Sequence, residues 1–305
     1  MRILQIVSVL LFCLFSSLNH LTAKILDRNV VDSYQNNDYR IVSLVVCRKN
    51  LDSIDENAFR GLYELTKLEV PFNRLRQLRG QLFVDNPNLE QVSFTVNEIE
   101  MIETGFFDLL TRLQALRLGY NKLRNIDSSL FKELTQLAEM DLSHNKLEHI
   151  DSFVFSSLRK LKILNLNSNN LIRIDPAAFR SLSSLEELSL NANDLESLDE
   201  EIFQQLNRLK ILRLNSNRFR SIDGLLNNLK ALTVLNINQN QLTSIGRFAF
   251  ANLNELSYLD ISNNHISFID GQALHGTCKI GFFNLNNNPI YGYFIYTKEG
   301  CRNSL

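Results

Sequence analysis

Three residues with the chemistry of a hydrolase lie close together in the stretch Asp-Leu-Ser-His, at Asp141, Ser143 and His144. A serine acts as a nucleophile when a histidine takes its proton and a carboxylate orients that histidine. The stretch is ordinary for this chain, because Asp-Ile-Ser-Asn-Asn recurs at 260–264 without a histidine. The other histidines after residue 23 are scattered, at His149, His265 and His275. No oxyanion site, phosphate loop, dinucleotide fingerprint or metal-ligand spacing accompanies them. We therefore predict that the protein is not an enzyme and uses no cofactor or metal ion.

Those three residues belong to a repeat with the pattern Leu-x-x-Leu-x-Leu-x-x-Asn-x-Leu-x-x-Leu. One full example runs through Leu113, Leu116, Leu118, Asn121, Leu123 and Ile126. The asparagines recur every 24 residues, with one step of 23, at Asn73, Asn97, Asn121, Asn145, Asn169, Asn193, Asn217, Asn240, Asn264 and Asn288. An earlier copy has Lys49 at this position. The repeats extend from about residue 41 to about residue 290, which predicts a solenoid of about eleven coils.

Each fixed position of the repeat has a physical role. In Leu-x-Leu the alternation is that of a short strand, so Leu164 and Leu166 are expected to point inward and Asn165 outward. Stacked copies then form a parallel sheet. The recurring asparagine follows the strand, where its carboxamide can donate to and accept from backbone groups of adjacent coils. We predict a ladder of stacked asparagines along the molecule.

A second row of large residues follows the strands on the far side of each coil. Its members are Phe59, Phe83, Phe107, Phe131, Phe155, Phe179, Phe203, Leu226, Phe250 and Leu274. Their bulk makes the outer arc longer than the strand side, which predicts a curved stack with a concave sheet and an irregular or short-helical convex side, an α/β solenoid. An aspartate often precedes the row, at Asp55, Asp127, Asp151, Asp175, Asp199, Asp223 and Asp270, and is interpreted as turn capping.

One elongated domain is expected, because no linker rich in proline, glycine or serine interrupts the repeats. The single 23-residue step, near Gly224 and Leu226, is interpreted as a local change of curvature. The predicted organisation is a signal peptide at 1–23, an N-terminal cap at 24–40, the repeats at 41–290 and a reduced C-terminal cap at 291–305.

The first 23 residues have the order of a secretory signal peptide. Arg2 precedes an apolar run from Ile3 to Phe15, and a small Ala23 stands at the expected cut. We predict secretion to the extracellular space with Lys24 as the first mature residue. The run is too short to span a bilayer, and no later stretch is long enough, so no membrane span is expected.

The mature chain would hold 31 basic and 33 acidic residues, a formal charge of −2 without a basic face, which argues against nucleic-acid binding.

The outward positions of the strands vary from coil to coil, and they are the candidate ligand-binding residues. The column beside the asparagines, here the turn column, reads Phe72, Val96, Tyr120, His144, Ser168, Ala192 and Ser216. The column at the start of the strands ends in four apolar residues, here the C-terminal strip: Ile211, Val234, Tyr258 and Phe282. The column between them mixes charges, at Glu69, Arg117, Asp141, Arg213 and Asp260.

Adjacent apolar residues in these columns form contiguous patches, because neighbouring strands lie about 4.8 Å apart. Such patches are typical of protein contacts, whereas single exposed apolar residues need no explanation. We predict partner binding on the concave face at Phe72, Val96, Tyr120, His144, Arg117, Asp141, Ile211, Arg213, Val234, Tyr258 and Phe282. For the C-terminal strip, cover by the tail of the chain is the alternative.

The 24-residue repeat, its phenylalanine row and the signal peptide resemble extracellular leucine-rich-repeat proteins of animals, such as Toll-like receptor ectodomains and the short secreted leucine-rich immune proteins of insects. This resemblance implies recognition without catalysis, of a protein or a microbial surface ligand, in innate immunity. An adhesion or developmental ligand-binding role, as in a Toll-like or Slit-like module, is the alternative. A partner chain, disulfide-linked or non-covalent, remains open.

The cysteines of the two ends depart from that family. Cys47 resembles the last cysteine of an N-terminal cap but has no upstream partner in the mature chain, so we expect it to be buried, pointing inward with Val45. The alternative places Cys47 outward on the first concave strand, with Leu44 and Val46 inward. Near the other end we predict a disulfide between Cys278 and Cys301, with the alternative that Cys301 bonds another chain. The aromatic tail residues, Tyr291, Tyr293, Phe294 and Tyr296, are assigned either to core cover or to a docking patch.

Overall fold

The computed structural model describes residues 25–32 and 41–290, and within them a parallel sheet of eleven strands runs the length of the molecule. Each strand has three residues and pairs with the strand of the next coil. The strands are Ser43–Val45, Lys67–Glu69, Gln91–Ser93, Ala115–Arg117, Glu139–Asp141, Ile163–Asn165, Glu187–Ser189, Ile211–Arg213, Val234–Asn236, Tyr258–Asp260 and Phe282–Asn284. Equivalent residues pair directly, so that Leu164 lies between Met140 and Leu188. The predicted parallel sheet is confirmed.

The strands form because their alternating residues separate the core from the concave surface. Leu164 and Leu166 are fully buried, as predicted. Asn165 lies on the concave side, but it is also buried, because its Nδ2 donates to Asp141 Oδ1 at 2.9 Å within a crowded row of polar side chains. The concave surface is therefore a packed polar layer in its middle column.

The predicted short helices on the convex side are not confirmed. The one helix of the described residues is Arg28–Asp32, which precedes the repeats. Turns make up most of the remaining backbone, with four pairs of two-residue strands: Ile25–Leu26 with Ser53–Ile54, Gln77–Leu78 with Met101–Ile102, His149–Ile150 with Arg173–Ile174, and Ser244–Ile245 with Phe268–Ile269.

The physical reason is the spacing of the inward residues on this side. Phe179, Leu182 and Leu185 are three apart and all fully buried. A spacing of three keeps residues on one side of a turn with hydrogen bonds from i+3 to i, whereas an α-helix would rotate them by 3.6 residues per turn. The backbone bonds agree, because Leu182 N–H donates to Phe179 O at 3.0 Å and Leu185 N–H to Leu182 O at 3.0 Å.

The predicted asparagine ladder is present and joins every coil to the one before it. Asn169 is typical: its Nδ2 donates to Leu142 O at 3.0 Å and Leu166 O at 3.1 Å, and its Oδ1 accepts from Leu147 N–H at 3.1 Å. In the first coil, the Lys49 N–H donates to Asn73 Oδ1 at 3.0 Å. The carboxamides thus satisfy backbone groups that the turn would otherwise leave buried and unpaired.

The phenylalanine row is buried as predicted and accounts for the curvature. Its rings stack with centroids 6.2 Å apart for Phe155 and Phe179, and 6.5 Å apart for Phe179 and Phe203. Neighbouring strands of a sheet are about 4.8 Å apart. Each coil is therefore wider on the ring side than on the strand side, which places the sheet on the concave face of the arc.

Five of the seven aspartates before this row cap turns, as interpreted from the sequence. Asp127 Oδ1, for example, accepts from Ser129 N–H at 2.9 Å, and this bond pattern recurs at Asp55, Asp175, Asp199 and Asp270. The hydrogen bonds from the Ser129 hydroxyl and backbone lower the pKa of Asp127.

The 23-residue step leaves the core continuous. Gly224 takes a φ of 77° there, and Phe219 is fully buried where most coils have leucine. Leu226, which stands in the phenylalanine row of this coil, is buried as well. A single hydrophobic cluster extends from Leu26 to Ile280.

At the N-terminal end, Leu44, Val46 and Cys47 are all buried. The register is the alternative one, with Leu44 and Val46 inward, so the expected inward position of Val45 is wrong, whereas the expected burial of Cys47 is confirmed. Leu26 and Val31, from the segment before the repeats, are fully buried against the first coils. No helix in the described parts of the chain is long and apolar enough to cross a membrane.

Candidate ligand-binding surface

The turn column has an uncommon backbone conformation that sequence reasoning missed. Every coil from the second onward places one residue of this column in the left-handed region, with φ between 52° and 60° in the ten positions Phe72, Val96, Tyr120, His144, Ser168, Ala192, Ser216, Gln239, Asn263 and Asn287. Asparagine tolerates this region better than other residues that carry a side chain, so Asn263 and Asn287 were the available signal. For a β-branched residue such as Val96 the conformation is strained.

The first four members of the turn column wall a pocket of about 430 Å³ on the concave face, here the N-terminal pocket. Its floor is formed by outward side chains of the strands, including Glu69, Arg117, Asp141 and Asn165. Tyr120 and His144 stack with centroids 4.0 Å apart and an interplanar angle of 12°. The structure therefore brings together six of the predicted binding residues: Phe72, Val96, Tyr120, His144, Arg117 and Asp141.

Most charges of the N-terminal pocket are paired within it. Lys67 Nζ lies 3.0 Å from Glu69 Oε1, and Arg117 Nη2 lies 3.3 Å from Glu139 Oε2. Burial lowers the pKa of His144 below its ordinary value, against the opposing attraction of Asp141. His144 is accordingly a neutral aromatic wall at neutral pH.

The geometry gives no support to a hydrolytic triad at Asp141, Ser143 and His144. Asp141 Oδ1 accepts from the Ser143 backbone N–H at 3.0 Å and from Asn165 at 2.9 Å, and neither carboxylate oxygen of Asp141 is hydrogen-bonded to the His144 imidazole. Ser143 is buried, and the His144 ring packs on Tyr120. Within the described residues, no three His, Cys, Asp or Glu side chains are grouped to hold a metal ion.

The C-terminal strip lies at the other end of the sheet. Its four residues pair directly across consecutive strands, Ile211 with Val234, Val234 with Tyr258, and Tyr258 with Phe282. The last two rings stack with centroids 4.4 Å apart. The strip is thus a continuous apolar surface on the concave side, separate from the N-terminal pocket.

The charges beside the strip are engaged by neighbouring side chains. Arg213 Nη1 lies 2.7 Å from Glu187 Oε1. Desolvation acts to raise the pKa of Asp260, but hydrogen bonds from Ser262, Asn238 and Asn284 outweigh it and lower that pKa. Arg213 and Asp260 therefore stabilise the sheet locally.

The predicted disulfide involves one residue that the structure describes. Cys278 lies in the turn before the last strand, as expected, and neither it nor Cys47 is a free thiol. Cys301 and the aromatic tail residues Tyr291, Tyr293, Phe294 and Tyr296 lie outside the described residues, so that the pairing and the role of the tail stay predictions.

The comparisons with known proteins agree with this architecture. A family described as "Leucine rich repeat" matches residues 40–97, 87–147, 135–195, 183–242 and 230–290. No curated protein matches the chain by sequence.

Solved structures share the fold at low sequence identity. The Toll–Spatzle complex, described as a molecular hub in Drosophila development and innate immunity, matches with a TM-score of 0.76 at 23% identity, over 81% of this chain and 35% of that chain. The LRIM1/APL1C complex matches with a TM-score of 0.73 at 24% identity, over 88% and 47%. The TLR13 complex with the RNA ssRNA13 matches with a TM-score of 0.70 at 24% identity, over 82% and 40%. The chain thus spans less than half of each of these proteins.

Proposed function

Because the chain belongs to the leucine-rich-repeat family, we propose that it is a secreted, non-catalytic recognition protein of innate immunity. It binds a protein or a microbial surface ligand through the concave face. The Toll–Spatzle and LRIM1/APL1C structures, each a complex that includes a protein of this fold, support a protein-binding role. Secretion rests on the signal sequence at residues 1–23.

The observation that carries this proposal is the set of bulky residues held in left-handed turns. Phe72, Val96, Tyr120 and His144 each adopt φ above 50°, which costs about 1–2 kcal/mol per residue. Folding does not require bulk there, because Ser168 and Ala192 occupy the same position in later coils. The left-handed turn is common to the coils, so the distinguishing feature is the group of large side chains around the N-terminal pocket, and such a group at a position that tolerates serine or alanine is typical of a binding surface.

The experiment measures secretion first and concave-face binding second. The full chain is expressed in secreting insect cells, and the protein in the medium is expected to begin at Lys24. Binding of this protein to washed bacteria and fungi is then compared with that of the double variant Phe72→Ser and Tyr120→Ser. The matched control is Phe153→Ser, which removes a ring that is 70% exposed and lies outside the N-terminal pocket.

We expect the double variant to lose most microbial binding and the control to keep it. Equal binding by all three proteins would refute a role for the concave face. Retention of the protein inside the cells with residues 1–23 attached would refute secretion.

A developmental or adhesive role is the second candidate, and the C-terminal strip favours it. A continuous apolar surface suits a protein partner better than a polar microbial glycan. Binding to host cells, lost on Tyr258→Ser with Phe282→Ser and absent for microbes, would support this role and contradict the immune one.

A further inference from the structure

The N-terminal pocket carries one charge that its own residues do not balance. Five charged side chains line it, and four of them form two ion pairs, Lys67 with Glu69 and Arg117 with Glu139. Asp141, the fifth, has no ion pair with any described lysine, arginine or histidine. With His144 neutral, the pocket has a net negative charge of one.

One oxygen of Asp141 is open to a ligand. Oδ1 accepts from Ser143 N–H at 3.0 Å and from Asn165 Nδ2 at 2.9 Å, whereas no described residue donates to Oδ2. Oδ2 lies beside Gly119, where a Cβ atom would come within 3.2 Å of it. The missing side chain of Gly119 therefore leaves space next to this oxygen.

Asp260, in the same column five coils later, shows the closed version of this arrangement. Its Oδ1 accepts from the Ser262 N–H at 3.0 Å and from the Ser262 hydroxyl, and its Oδ2 accepts from Asn238 Nδ2 at 3.0 Å. Both carboxylate oxygens of Asp260 accept hydrogen bonds within the protein, whereas only Oδ1 of Asp141 does so.

The walls of the pocket suit a planar cation. Tyr120 is 42% exposed and stacks on His144. In the first coils, the guanidinium of Arg48 already lies over the Phe72 ring, 5.3 Å from its centroid. A guanidinium stacks on aromatic surfaces and is more weakly hydrated than an ammonium group, so these walls favour arginine over lysine.

We propose that the N-terminal pocket binds an arginine side chain of a protein ligand. The guanidinium donates to Asp141 Oδ2, and the aliphatic part of the side chain packs against Val96 and Tyr120. The volume of about 430 Å³ accommodates the side chain together with flanking ligand residues. This inference rests on the proposed concave-face function and specifies the chemistry of its ligand. An RNA ligand is disfavoured, because phosphates are repelled by the unpaired carboxylate.

The test is a selection of peptides displayed on phage against the immobilised mature protein, with Asp141→Asn and Glu196→Gln as parallel targets. The asparagine keeps an acceptor oxygen for Ser143 and Asn165, so that the variant should fold. Glu196 is exposed and outside the pocket, and its replacement makes the same change in net charge. One selected peptide is then compared with its citrulline analogue, which keeps the shape of arginine without the charge, by fluorescence anisotropy.

We expect arginine at one fixed position in peptides selected on the native protein and on Glu196→Gln, but not on Asp141→Asn. The citrulline analogue should bind the native protein about tenfold more weakly, and Asp141→Asn should bind both peptides equally. Peptides without arginine, an unchanged preference in Asp141→Asn, or no selected peptide would overturn the inference. Preferential binding of a single-stranded RNA oligomer would overturn it in favour of a nucleic acid. Microbial or protein binding that depends on Phe72 and Tyr120 without any arginine preference would leave the proposed function standing and remove only this inference.

Discussion

At the scale of single residues, two adjacent positions in each coil have opposite roles. The asparagine of the ladder is fixed, because its carboxamide completes backbone hydrogen bonds of two coils. The turn column lies just before it and varies in size and polarity, because its side chain points away from the core. Stability is therefore concentrated at the first position, whereas the second is the proposed site of ligand specificity.

Replacing a ladder asparagine should lower the free energy of unfolding far more than replacing its exposed neighbour. Asn169→Ala leaves the N–H of Leu147 without its partner and removes one of the two side-chain hydrogen bonds to the carbonyl of Leu142, the other coming from Asn145, and we expect a loss of about 1–3 kcal/mol in the free energy of unfolding. Asn170→Ala, at an exposed site, should change it by less than about 0.5 kcal/mol. Urea unfolding followed by circular dichroism measures both. Similar midpoints would show that the ladder is not a major source of stability.

Relieving the strained turn should separate stability from binding. Val96→Asn replaces a β-branched residue with one that tolerates φ near 56°, and we expect a gain of about 1 kcal/mol in stability together with weaker ligand binding. Ala192→Asn is the control, since alanine is less strained there and lies outside the N-terminal pocket. Thermal unfolding measures the stability of each variant, and the microbial binding assay on the same samples measures ligand binding. A stability loss in Val96→Asn would indicate that the valine contributes mainly packing.

His144 should titrate below its ordinary pKa of 6.5, because burial disfavours its charged form. The neutral form is favoured in the folded state, so the contribution of His144 to stability is complete above pH 6.5 and is lost as the pH falls towards its folded pKa. Asp141→Asn removes an attraction for the proton and should lower the pKa of His144 further. Proton NMR of the imidazole measures both values. A higher pKa of His144 in the variant would contradict the electrostatic attraction assigned to Asp141.

At the scale of elements, the sheet, the ladder and the curvature were predictable, and the convex backbone and the pocket were not. Leucines, asparagines and phenylalanines each recur at a fixed spacing. The leucines pack in the core beneath the sheet, the asparagines form the hydrogen-bonded ladder, and the phenylalanines form the ring row. The expected short helices failed because Phe179, Leu182 and Leu185 are spaced by three, which favours successive tight turns. Six residues of the pocket were predicted to bind a partner, but its enclosed shape was not, because that shape depends on the left-handed φ of the turn column, which no single residue type marks, and on the open side of Gly119.

The ring row should be the most sensitive part of each coil. Phe179→Ala removes a fully buried ring that stacks on two neighbours, and we expect a loss of about 3–5 kcal/mol in the free energy of unfolding. Ile172→Ala, in the same coil but 65% exposed, should cost less than about 0.5 kcal/mol. Denaturant unfolding distinguishes them. Equal small losses would mean that neighbouring coils collapse into the vacated space.

At the scale of the whole molecule, each coil contacts mainly its neighbours, so that the two ends carry the weakest structure. The N-terminal end is covered in part by Leu26 and Val31, which are buried with the first coils. At the other end Phe282, on the last strand, is 44% exposed. Opening of the molecule is therefore expected to begin from the C-terminal coils.

The predicted disulfide between Cys278 and Cys301 should stabilise the C-terminal coils. Closing a loop of about two dozen residues stabilises by about 3 kcal/mol on chain-entropy grounds. Cys301→Ser should raise amide hydrogen exchange in residues 258–290 and leave residues 67–120 unchanged. Peptide mapping of the non-reduced protein identifies the bond itself. A dimer that dissociates on reduction would show instead that Cys301 joins another chain.

The direction of the asparagine ladder has a consequence for how the chain is made. The side chain of every ladder asparagine bonds to its own coil and to the coil before it, as that of Asn73 does to Val46 and Lys49, and none bonds to a coil that follows. A ribosome delivers coils in that same order, from the first to the last. Each newly synthesised coil therefore brings the carboxamide that pairs with backbone groups of the coil before it. During synthesis, only the last coil made has turn backbone groups that still lack this carboxamide partner.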